Sequence, residues 1–118
     1  MDEKKITQLS AAGIDIQEAM SRFMGNEGLL MKFLLRFPQD ESFVQLQQGL
    51  EAGDADQAYR AAHALKGLAG NLSMKELFQQ ASGVTAELRE GRIEQAKNMM
   101  GGLERRYQDV LEALKALG

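Results

Sequence analysis

A helical period that persists almost from end to end constrains this chain more than any other feature. Over the last stretch the apolar residues Ile93, Ala96, Met100, Leu103, Tyr107, Val110, Leu111 and Leu114 are spaced by 3, 4, 3, 4, 3, 1 and 3 positions. At about 100° per residue they share one helix face. The same period recurs upstream, and no segment alternates apolar and polar residues as a half-buried strand does. A chain of 118 residues fits one domain around one core, so residues 1–118 are expected to form a single domain. With 44% hydrophobic residues and one proline, the composition favours a compact helical protein over disorder.

Short helices are expected over residues 3–10 and 15–24, separated by Gly13 and ended by Gly25-Asn26. A helix over 27–37 follows, through Leu30, Phe33, Leu34 and Phe37. Pro38 suits the first turn of the next helix, 39–52, whose one face carries Phe43, Leu46, Gln47 and Leu50 and which stops at Gly53. Asp54, with Gln57 three residues on, reads as the N-cap of a helix over 55–70. Its apolar stripe is Ala58, Ala62, Leu65, Ala69 and Leu72. Ser73-Met74-Lys75-Glu76 has the form of a capping box and starts a helix that buries Leu77, Ala81, Val84 and Leu88 and stops at Gly91. The last helix covers 92–116. Short connections favour antiparallel neighbours. The expected fold is therefore all-α: an antiparallel four-helix bundle of the last four helices, with the shorter N-terminal helices covering one end. The seven methionines, Met74, Met99 and Met100 among them, read as gap-fillers rather than metal or redox ligands.

The helix over 55–70 carries the sole histidine, in Ala62-His63-Ala64-Leu65-Lys66-Gly67-Leu68-Ala69-Gly70-Asn71-Leu72. A glycine inside a helix costs roughly 1 kcal/mol against alanine, so two of them need another reason. His63, Lys66, Gly67 and Gly70 fall at i, i+3, i+4 and i+7 and form one stripe. That stripe lies roughly 130° from the apolar one, so the imidazole points outward. A nucleophile with a cation one turn away and bare backbone beside it suits a phosphoryl group. Taken singly each residue has a plain reading: His63 as a solvated side chain, Lys66 as a surface lysine, Gly70 as a helix stop, and Gly67 as a helix-packing position. Gly67 resists its plain reading because it lies away from the apolar stripe.

Other chemistries find little support. No strained nucleophile turn accompanies the histidine. Metal sites in bundles use Glu-x-x-His pairs or several histidines, whereas Arg60 stands three residues before His63 and there is no second histidine. There is no glycine-rich phosphate loop, and no room for an ATP-binding domain beside the bundle. A phosphoryl group on His63 must then come from another protein. Without cysteine there are no disulfides or zinc thiolates. A net charge of -3, with 14 basic and 17 acidic residues in mixed order, argues against a nucleic-acid partner. Met1-Asp2-Glu3-Lys4-Lys5-Ile6 lacks the apolar core of a signal peptide. The longest apolar stretch, Leu29 to Leu35, is broken by Lys32, well short of the roughly 20 residues of a membrane span. A cytoplasmic protein is the default expectation.

Ala62-His63-Ala64-Leu65-Lys66-Gly67 followed by Gly70-Asn71-Leu72 resembles the motif of the histidine-containing phosphotransfer (HPt) family. Gly25-Asn26 with Leu30, Phe33-Leu34 and Phe37, and Gly53-Asp54, are similar to weaker parts of its pattern, so the resemblance spans residues 14–115. Ser73 stands where the family usually has glycine, and Val84-Thr85 where it often has Leu-Glu. The resemblance implies that His63 accepts a phosphoryl group from an aspartyl phosphate of one response-regulator receiver domain and passes it to a receiver aspartate on another. It implies Lys66 as a donor to the phosphoryl oxygens and Gly67 and Gly70 as clearance for docking. Magnesium would belong to the partner receiver, with no cofactor on this chain. Receivers and a hybrid histidine kinase would be the partners of an expected monomer. Two other readings stand beside it: the phosphorylated domain of a chemotaxis-type histidine kinase, and a non-phosphorylated helical adaptor that binds a receiver.

Overall fold

Side chains that accept from the first free backbone N–H groups set several helix starts. In the computed structural model, which describes residues 1–117, Asp2, Asp15, Asn26 and Asp54 accept from the amides of Lys5, Glu18, Leu29 and Gln57 at 2.8–3.0 Å. Each such cap is worth about 1 kcal/mol. They open α1 (Glu3–Ala11), α2 (Ile16–Arg22), α3 (Glu27–Arg36) and α5 (Ala55–Asn71). The other helices are α4 (Ser42–Glu51), α6 (Lys75–Arg89) and α7 (Ile93–Lys115), and all described regular structure is helical. At Gly53 the backbone takes φ 68°, a conformation glycine adopts without a Cβ penalty, and the chain turns from α4 straight into the Asp54 cap.

The expected bundle is present. α5 packs against both α4 and α6, and α6 packs against α7. Phe43 of α4 stacks on Tyr107 of α7 with ring centroids 4.2 Å apart, which brings the outer helices together. The apolar stripe of α5, Ala58, Ala62, Leu65, Ala69 and Leu72, is buried, as are Leu77, Ala81, Val84 and Leu88 of α6. Small residues let the helices approach closely. A Cβ on Gly49 of α4 would lie 2.7 Å from the backbone nitrogen of Ala58. Met74 is buried and the methyl end of Met99 lies against Gly83, as fillers would be, but the expectation fails at Met24, which is 94% exposed and fills no gap.

Two expectations are corrected. Pro38 does not begin α4. It sits in a separate 3₁₀ turn, Phe37–Gln39, and α4 starts only at Ser42. The turn drives Phe37 into the core against Tyr107, at 5.8 Å between ring centroids. Phe33 of α3 is 38% exposed and packs on Phe23 at 5.5 Å between ring centroids. Ser73 does not cap α6. Met74 holds the N-cap position without a side-chain bond, and Ser73 adopts φ 55°. The left-handed region costs a non-glycine residue about 1 kcal/mol, so glycine would fit this position with less strain.

What covers the start of α6 is the N-terminal segment. Ile14 and Met74 form an isolated antiparallel bridge, with Asp15 N donating to Ser73 O at 2.9 Å and Lys75 N to Gly13 O at 2.8 Å. Glu18 of α2 locks the join: it accepts from the Ser73 hydroxyl at 3.0 Å and pairs with Lys75 and Arg22. The shorter helices thus cover the bundle end that holds the α5–α6 turn, and α1 lies on α7.

The Lys75 ammonium, then the Ser73 hydroxyl, hold the Glu18 carboxyl down from 4.5 to about 2, with Arg22 assisting and desolvation opposing. A carboxyl depressed in the folded state contributes stability that is complete above its unfolded value and is lost as pH falls toward the folded one. Glu18→Gln should therefore lower Tm most above about pH 5, and the gap to the parent should close toward pH 2. Thermal unfolding across that range checks it; a gap that stays constant with pH would count against the clasp.

Candidate functional site

On the stripe that carries His63, His63 and Gly67 are exposed while Lys66 and Gly70 are half-buried. His63 is the ninth of seventeen residues in α5, far from either fraying end. It is exposed, while its neighbours Ala62 and Leu65 are buried. Tyr59, one turn before it, lays its ring on the imidazole at 5.9 Å between centroids and 23° between planes.

Two cations flank the histidine, and they differ. Arg60 is tied to Asp56 at 3.2 Å. Lys66 is half-buried and has no ion-pair partner among the described residues. Its ammonium stands 6.0 Å from the centroid of the Phe78 ring, which projects from α6. Lys66 therefore keeps an uncompensated positive charge one helical turn from His63.

The two glycines of the stripe also differ. A Cβ placed on Gly67 meets nothing within 4 Å, so its surroundings are open. A Cβ on Gly70 would come within 3.1 and 3.2 Å of Phe78 Cε1 and Cδ1. At Gly70 the missing side chain makes room for a ring of the protein itself, whereas the ground over Gly67 is open. Asn71 ends α5 exposed, and Leu72 turns into the core.

The structure thus brings His63, Lys66 and Gly67 together on one open face and adds two side chains that the motif does not mention. Tyr59 was open to inference, since residues four apart on a helix are neighbours. Phe78 was not, because it reaches the stripe from another helix. Thr85, where the family often has glutamate, is buried and donates its hydroxyl to Ala81 O at 2.7 Å, so it serves the interior of α6 rather than the stripe.

No helix among the described residues is long and apolar enough to cross a membrane. A search among curated proteins and one among solved structures each returned no significant match. A family model described as Hpt domain matches residues 33–116, most of the chain and all of the bundle from the 3₁₀ turn onward. Domains of this kind are phosphotransfer intermediates in two-component signalling and interact with the receiver domains of response regulators. The exposed histidine in mid-helix thus stands on a fold and in a sequence context of one kind, and the chain belongs to the Hpt domain family.

Proposed function

We propose that His63 is the phosphoryl-carrying residue and that the chain relays the group between two receiver domains. The observation that carries this reading is the open ground beside the sole histidine: nothing occupies the space over Gly67. An aspartyl phosphate must bring its phosphorus within bonding distance of a ring nitrogen, and that needs a surface rather than a pocket.

The chemistry balances without further reactants. A neutral imidazole attacks phosphorus with the lone pair of its unprotonated nitrogen. The N–P bond forms as the bond from phosphorus to the aspartyl oxygen breaks, and the carboxylate leaves with that electron pair. The other ring nitrogen keeps its proton, so the product is a phosphorylated imidazolium. In the second transfer a receiver carboxylate attacks, the N–P bond breaks, and the imidazole departs neutral. Such transition states are loose, so positioning and charge stabilisation dominate catalysis. Tyr59 orients the ring, and Lys66 supplies a charge-assisted donor to the phosphoryl oxygens. Magnesium would come with the receiver. A hybrid histidine kinase upstream, a monomeric state and a cytoplasmic location complete the proposal.

Incubation with phosphorylated receivers from the same genome tests the relay by label transfer. The label should be acid-labile and base-stable, as a phosphoramidate is, and absent from His63→Gln protein. Label retained on that variant would remove His63 from the role.

Lys66→Ala should slow transfer by about ten- to a hundredfold, the worth of a hydrogen bond to a charged group. Its stability should change by less than about 1 kcal/mol, as for other surface substitutions. Stopped-flow transfer and thermal unfolding on the same sample check both parts.

Gly67 separates docking from folding. With open space around it, Gly67→Ala should stabilise the isolated domain by up to roughly 1 kcal/mol through helix propensity. Gly67→Leu and Gly67→Gln should stay folded yet impair receiver binding and transfer. Normal transfer by the bulky variants would show that this face is not the docking ground.

A further inference from the structure

Phe78 lies outside the motif, and two independent contacts place it at the stripe. Its ring edge fills the notch left by Gly70, within 3.2 Å of where a Cβ would stand. Its ring also takes the Lys66 ammonium at 6.0 Å from the centroid. The backbone that carries the ring is anchored as well. Phe78 is half-buried in the first turn of α6, and its backbone N donates to Met74 O at 2.8 Å. That turn is itself pinned by the Ile14–Met74 bridge.

A lysine has long rotamer freedom, and a donor that wanders contributes little to a transition state. A carboxylate would hold Lys66 in place but would also neutralise it. An aromatic ring attracts the ammonium through its quadrupole and carries no net charge, so the full positive charge stays available. The attraction is weak enough at an exposed site to yield when phosphoryl oxygens arrive. Arg60, bound to Asp56, shows the contrasting arrangement on the same helix.

We propose that Phe78 is a positioning residue for phosphotransfer, holding the Lys66 ammonium beside His63 without neutralising it, with Gly70 as the notch that seats its ring. This role rests on the relay reading above and leaves the bonds made and broken there unchanged.

Two readouts test it on the whole chain. The first is NMR of the unphosphorylated protein. The Lys66 Hε resonances should be shifted upfield by the ring current in the parent and in Phe78→Tyr, unshifted in Phe78→Leu, and partly shifted in Gly70→Ala. The second is transfer from a receiver domain charged with acetyl phosphate. Phe78→Leu keeps an apolar side chain in place, and should lower the maximal transfer rate about two- to fivefold, the range a surface cation–π contact supports. The receiver concentration for half-maximal rate should not change, and Phe78→Tyr should restore the rate. In a Lys66→Ala background, Phe78→Leu should have no further effect. An equal loss in that background would make Phe78 a structural residue only, and unshifted Lys66 resonances in the parent would remove the contact itself. If the parent takes no label while the resonances are shifted, the relay reading has failed and the ring contact has not.

Discussion

The structure depends on how α5 is buried. Its contact stripe is mostly alanine, with Leu65 and Leu72 as its large members, so α4 and α6 can both come close to it. Gly49 shows how close: the α4 backbone meets that of Ala58 with no space for a methyl group. A narrow stripe packed tightly fixes the helix in rotation without covering it. The remainder of its circumference is left to solvent, and His63 stands there in mid-helix. A broader apolar face on α5 would bury more surface and leave less of the helix open to a partner.

Rigidity at the far end of α5 comes from elsewhere. The turn into α6 contains a serine in a glycine-like conformation, a local cost that the N-terminal segment offsets. Backbone bonds from Asp15 and Lys75 and the carboxylate of Glu18 hold that turn from outside. The first turn of α6 is consequently well placed, and with it Phe78. The covering helices therefore bear on the site although they contribute no residue to the stripe.

The stripe itself is economical. One histidine lies beside the ring of Tyr59, one lysine beside the ring of Phe78, and the ground over one glycine is open. None of these needs a pocket, since the receiver brings the acidic, metal-bearing half of the reaction centre in the relay proposed. A domain that meets more than one receiver gains from having its half exposed and preformed.

Much of this was readable from the chain because it follows from periodicity. Apolar spacing located the helices, and Asp54 and Gly53 marked the start of α5 within a residue. The angle between two stripes on one helix put His63 outside the core. These are properties of a single helix, decided by residues a few positions apart. Other features depend on which helices meet. Whether Phe33 or Phe37 enters the core is settled by the 3₁₀ turn and by Tyr107, some seventy residues away. Ser73 and Glu76 have the spacing of a capping box, yet residues 13–15 reach that helix start first with backbone bonds. Gly67 and Gly70 look equivalent on a helical wheel. Only the packing of α6 against α5 makes one open ground and the other a seat for a ring, because a neighbour's side chain is invisible to the periodicity of the helix it touches.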